Sequence, residues 1–279
     1  MERKKVKKNK MIDLDWIIKQ ENELTDKAKS NLGDNYHLLI DLLKLIQGIK
    51  SFSVNNEVAH YFETQILKDF HLSALNIIRR HSTDAQSSIR HALESAVLFA
   101  YSMEHPYKSE YVIAEDEEQI YDFDDKILNK AQNYIENKYP DISIHIEKYK
   151  RGINIMYSHS NIFASQYNTA IIDGRIKALI FDCYYDEHSR ELLCILNDTI
   201  VLVLDLYKQL YTDYKSFEFE DWFDELYNEC VTRLEKLKQD MHLKVSLEDR
   251  KKFPALEKEI DRLKEKYNKL EEQNNAPVV

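Results

Sequence analysis

Apolar residues recur at three- and four-residue intervals along most of the chain, the signature of amphipathic helices. Residues 12–30 carry Ile12, Leu14, Ile17, Ile18 and Leu24 on one side ahead of Gly33. Over 36–49, Leu38, Leu39, Leu42, Leu43, Leu45 and Ile46 follow the same rule, and so do Val58, Phe62, Ile66, Phe70, Leu75 and Ile78 over 55–82. A further helix is predicted over 83–103. Beyond residue 91 it is apolar all round (Ala92, Leu93, Ala96, Val97, Leu98, Phe99, Ala100), which belongs in the middle of a bundle.

The next stretch, 105–118, opens with His105-Pro106 and ends in Glu115-Asp116-Glu117-Glu118, and reads as a loop or lid-like connection. Helices are expected again over 121–138, stopping at Pro140, and over 141–159 with Asp141 as N-cap. A β-hairpin is predicted near 168–184, where 168–172 and 175–182 flank Asp173-Gly174, a two-residue hairpin turn. Ser189 is expected to cap a helix over 190–214, and FEFEDWFDELY to begin another running to 243. Leu256, Ile260, Leu263, Tyr267 and Leu270 then follow heptad spacing, a short coiled-coil seam that needs either the body or a partner to pack on. The predicted class is an all-α multi-helix bundle with one small β-hairpin insertion and a C-terminal coiled-coil-like helix. It divides into a basic tail (1–10), a helical domain (11–245) and a C-terminal helix with a frayed end (246–279).

Composition sharpens this picture. Glycine and proline total 8 of 279 residues, too few for the turns of a sandwich or barrel, and no glycine-rich phosphate loop is present. No apolar run reaches the roughly 18 residues of a membrane span. Cys183, Cys194 and Cys230 are widely spaced with no CxxC pair, which fits a reducing cytoplasm and neither a disulfide framework nor a zinc ribbon. Net charge is −10, but residues 1–10 hold six Lys/Arg against one Glu, so the rest of the chain carries −15. The basic tail is either a solvated terminus or a contact for RNA or another anionic surface.

Candidate chemistry centres on Arg90 and Glu94, four apart on the predicted central helix. In a bundle interior both would need mutual satisfaction, as a strut holding register or as a site. His159, with Tyr157 and Ser158, ends the helix predicted over 141–159, either capping carbonyls or shuttling protons. If His159 faces Arg90 and Glu94, the trio forms a metal-free phosphodiester-cleaving arrangement. The imidazole would then move a ribose proton, Arg90 neutralise the phosphorane, and Ser158 or Tyr157 orient the phosphate. His60/Glu63 and His91/Glu94 have i, i+3 metal-ligand spacing but lack further carboxylates, so no metal or cofactor is expected. Phe217, Phe219, Trp222 and Phe223 make 217–227 either a partner-binding patch or a buried helix start.

SSIRHALESAVLFAY, with Arg90 and Glu94, is similar to a helix recurring in bacterial all-α proteins, in which a later helix carries a Tyr/Ser…His stretch like YSHSNIFAS. Over roughly residues 55–165 the chain resembles the HEPN superfamily. The resemblance implies a dimeric, metal-independent ribonuclease with Arg and His at a shared cleft. The HEPN signature places four to six residues between Arg and His, whereas seven separate Arg151 from His159 and eight separate Arg233 from His242. Two functions are therefore expected. One is a cytoplasmic interaction module in a phage-defence or mobile-element system, binding a protein partner or itself through the C-terminal helix and 217–227. The other is an HEPN-like ribonuclease using Arg90, Glu94, His159 and Ser158.

Overall fold

The computed structural model describes residues 13–52, 57–114, 121–123, 125–156, 169–172, 175–178, 181 and 186–244. It divides into two compact units, Met1–Leu234 and Glu235–Val279. In the second unit, the described residues are the last turns of a helix ending at Lys244. The basic tail and the heptad segment lie outside the described residues.

Helix α1 (Leu14–Leu32) starts at Asp13, whose carboxylate accepts the Trp16 N–H at 2.8 Å. It ends on Gly33 at φ 53°, a left-handed turn that lets α2 (Asp34–Gln47) begin at once. Strand β1 (Ile49–Phe52), α3 (Glu57–Ile78) and α4 (Ser82–Ser102) follow. After a 3₁₀ turn (Lys108–Glu110) come β2 (Val112–Ala114) and β3 (Tyr121–Phe123), then α5 (Asp125–Lys138) and α6 (Pro140–Met156). Next are β4 (Thr169–Ile172), β5 (Arg175–Ala178), α7 (Asp186–Tyr214), β6 (Phe217–Phe219) and α8 (Phe223–Lys244). The fold is all-α and multi-helical. None of the described helices is long and apolar enough to cross a membrane.

The core forms where α3, α4 and α7 meet, with α2 laid on α7. The later half of α4 is enclosed, as the sequence predicts, and wholly so from Ser95 onward: Ala96, Val97, Phe99 and Ala100 are fully buried. Phe99 meets Tyr207 of α7 with ring centroids 4.8 Å apart, and both contact Phe217. Helices α5 and α6 pack on each other and on α4. Buried Asn197 of α7 donates to the Asn35 carbonyl at the start of α2 (3.2 Å). Arg190 donates to the Asn31 carbonyl at the end of α1, satisfying an orphan helix terminus.

Several element boundaries differ from expectation. The hairpin predicted near 168–184 is present as β4 and β5, paired antiparallel with Ile172 opposite Arg175, and its Asp173-Gly174 turn lies outside the described residues. Two further antiparallel pairs join it: β2 with β3, inside the stretch read as a loop and a helix start, and β1 with β6. Pro140 does not merely stop a helix. It opens α6, where its fixed φ and missing N–H are harmless, so Asp141 sits inside the first turn rather than at the N-cap. Ser189 is a buried residue within α7, which begins at Asp186. Finally, 217–219 is strand and the helix starts at Phe223.

Candidate functional site

Arg90 and Glu94 form the pair their spacing predicts, with Arg90 Nε 3.0 Å from Glu94 Oε1. The pair is not in a dry interior. The two side chains are 30% and 20% exposed, on the flank of α4 just before the helix becomes fully enclosed. A third group completes the arrangement: Arg90 Nη1 donates to Asn154 Oδ1 on α6. The guanidinium thus bridges two helices and remains reachable from solvent. Such a group can hold a phosphate oxygen in a bidentate manner if it exchanges one protein acceptor for the ligand. Ser158 and His159 lie outside the described residues. The last described residue of α6 is Met156, two positions past Asn154.

The spacing-based metal pairs do not extend into sites. His60 Nδ1 is 3.6 Å from Glu63 Oε2, whereas His91 is exposed and Glu94 faces Arg90. Among the described residues, no cluster of three His, Cys, Asp or Glu is placed to hold a metal ion. Glu63 itself is buried, and burial raises its pKa above the usual carboxylate value. It acts electrostatically on Tyr207, whose enclosed hydroxyl has no hydrogen-bond partner among the described residues. Cys194 and Cys230 are buried, and desolvation pushes the Cys230 thiol up to about 11, away from the reactive thiolate. Cys183 lies outside the described residues.

The 217–227 segment is not an exposed apolar patch. Phe217 and Phe223 are 2% and 1% exposed, Phe219 stacks on Phe223 with centroids 4.0 Å apart, and Trp222 is half-buried. Its alternation of acidic and aromatic residues reflects a short strand with one face in the core.

One cluster escapes the sequence reading. Lys138 of α5 donates to Glu104 at 2.7 Å and bonds the Tyr214 hydroxyl, which also donates to Glu104. The Tyr134 and Tyr214 hydroxyls are 2.5 Å apart, and Tyr139 donates to Asp213 at 2.6 Å. Nearby, His105 stacks on Tyr101 with centroids 4.0 Å apart and meets Glu110 at 2.8 Å. Burial pushes the Tyr214 phenol up to about 12, so these hydroxyls stay protonated, and the lysine and tyrosines hold Glu104 below its ordinary pKa. These groups satisfy one another and pin α5 to the ends of α4 and α7. The only sequence signal for it is the Tyr134/Lys138 pair at i, i+4.

No family model, curated protein or solved structure matches this chain, so the reading of its site rests on the chemistry of these residues.

Proposed function

We propose that the chain is an HEPN-like ribonuclease that cleaves single-stranded RNA without a metal ion, with Arg90, Glu94, His159 and Ser158 as its site. The observation that carries this reading is the bond from Arg90 to Asn154. It ties the arginine of α4 to the helix that leads into Tyr157-Ser158-His159. His159 follows Asn154 by five residues, and chain length alone keeps the two Cα atoms within about 18 Å. Arg90 is part-exposed, so a phosphodiester can approach its side chain as it could not approach a sealed strut.

In this mechanism the His159 imidazole takes the proton of a ribose 2′-hydroxyl, and the 2′-oxygen attacks the adjacent phosphorus. The P–O5′ bond breaks and the imidazolium returns the proton to the leaving oxygen. The products are a 2′,3′-cyclic phosphate and a 5′-hydroxyl. Arg90 neutralises the phosphorane, Glu94 fixes the guanidinium plane, and Ser158 donates to a phosphate oxygen.

The test is incubation of the full chain with end-labelled RNAs of several sequences in EDTA. Cleavage should fall about 10²- to 10⁴-fold in His159→Ala and about 10²- to 10³-fold in Arg90→Ala. Ser158→Ala should lose less, and Glu94→Gln should retain part of the activity. Intact RNA with wild type, or equal cleavage by wild type and Arg90→Ala, overturns the proposal. The interaction-module reading then stands, supported by the heptad spacing of Leu256, Ile260, Leu263, Tyr267 and Leu270. Sedimentation would read it as self-association.

A further inference from the structure

The chain carries a net charge of −10, and its described helices do not share it evenly. Helices α1, α2, α3, α4, α7 and α8 each hold more carboxylates than cations, whereas α5 and α6 each hold three cations against two carboxylates. The two positive helices are neighbours, joined by Gln132 donating to Ser143 at 3.2 Å. Each thus carries a net charge of +1 on a body that otherwise repels anions.

Within α6 the cations have different fates. Lys150 is compensated by Glu147 at 2.8 Å. Lys148 and Arg151 are exposed, and among the described residues neither forms an ion pair. Lys148, Arg151 and Asn154 stand three residues apart, so each station is about 4.5 Å further along the axis. Each step of three also falls about 60° short of a full turn. The row therefore turns from the outer face of α6 toward the side on which Asn154 holds Arg90. Gly152 adds no side chain beside this row, and the space where its Cβ would stand is open.

We infer that the outer face of α6 is a phosphate track for single-stranded RNA, Lys148 and Arg151 each holding one backbone phosphate as the strand approaches Arg90. The inference names the substrate-guiding surface of the ribonuclease proposed above and rests on that reading for its direction along the helix. Long cationic side chains without a carboxylate of their own are the groups that exchange counterions for phosphate. The order of stations runs toward the guanidinium rather than away from it. The track senses backbone charge and reads no base, so sequence preference must come from elsewhere.

The experiment measures binding of a fluorescein-labelled single-stranded 12-nucleotide RNA to the full chain in EDTA, by anisotropy, across a salt series, beside its cleavage rate. Lys148→Gln/Arg151→Gln should weaken binding and make the log Kd–log salt slope shallower by about 1.4, two phosphates at roughly 0.7 each. It should raise KM and leave kcat unchanged. Lys27→Gln/Lys29→Gln on α1 removes the same charge from exposed positions and should leave the slope unaltered. An unchanged slope in the α6 variant, or an equal loss in the α1 variant, overturns the track while leaving the nuclease standing. Binding with the α6-dependent slope but no cleavage supports the track and overturns the nuclease. Wild type that neither binds nor cleaves overturns both.

Discussion

Two residues show what a chain with four glycines must do where its helices end. Arg80 and Lys215 take the left-handed conformation, at φ 66° and 50°, just past α3 and α7. A side chain there costs roughly 1–2 kcal/mol that glycine avoids. Arg80 has compensation, an ion pair with Asp186 at 2.7 Å. Lys215 is exposed, and its N–H donates to the Tyr211 carbonyl at 2.9 Å, a bond glycine would keep. Lys215→Gly should therefore stabilise the fold by about 0.5–1 kcal/mol in urea titrations, with an unchanged m-value. At this scale Arg90 and Glu94 were legible, because an i, i+4 pair on one helix is a local matter. Asn154 was not: nothing in the sequence of α6 distinguishes an asparagine that holds a distant arginine from one that faces water.

Among the elements, the long helices and the β4–β5 hairpin were readable, and the other short strands were not. Each helix repeats its apolar period over several turns, and burial follows that period closely in α2 and in the first half of α4. β1 and β6 have four and three residues, too few for alternation to register, and each is defined only by the other. Pro140 and Ser189 were misplaced for a related reason. Both residue types serve on either side of a helix boundary, and packing decides which. The β1 end of α2 also depends on a close approach: a Cβ on Gly48 would stand 2.8 Å from Trp222 Cη2. Lys44 covers that indole ring, its ammonium 4.7 Å from the centroid, so the ring is confined. Gly48→Ala is expected to cost about 1–3 kcal/mol by overpacking, seen as a lower Tm, while Gly152→Ala, facing open space, should be neutral or slightly stabilising.

Across the molecule, buried carboxylates set the response to pH. Burial raises the pKa values of Glu63, Asp69 and Asp205, so over that window the folded state keeps protons that the unfolded chain has released. Stability therefore falls as pH rises from the ordinary carboxylate value through these raised pKa values, where the folded state must give up its extra protons. Glu104 works in the opposite sense, its stabilising contribution present at neutral pH and lost as pH falls through its lowered pKa. Each of the three buried carboxylates thus lowers thermal stability as pH rises through its raised pKa. Glu63→Gln removes one of the three. It should raise Tm at pH 8 by about 2 °C and leave Tm near pH 4 almost unchanged, as calorimetry across that range would read.

The pairing of Ile49 with Phe219 carries a consequence for how the protein is made. A ribosome adding 5–20 amino acids per second needs about ten to thirty seconds to get from one to the other. During that interval α3 and α4 are completed, but the aromatic wedge that seals the first four helices is still unsynthesised. The nascent N-terminal helices are thus exposed to chaperones and proteases until β6 is made. Codon choices that slow the stretch encoding α7 would lengthen that exposure and lower the yield of folded protein.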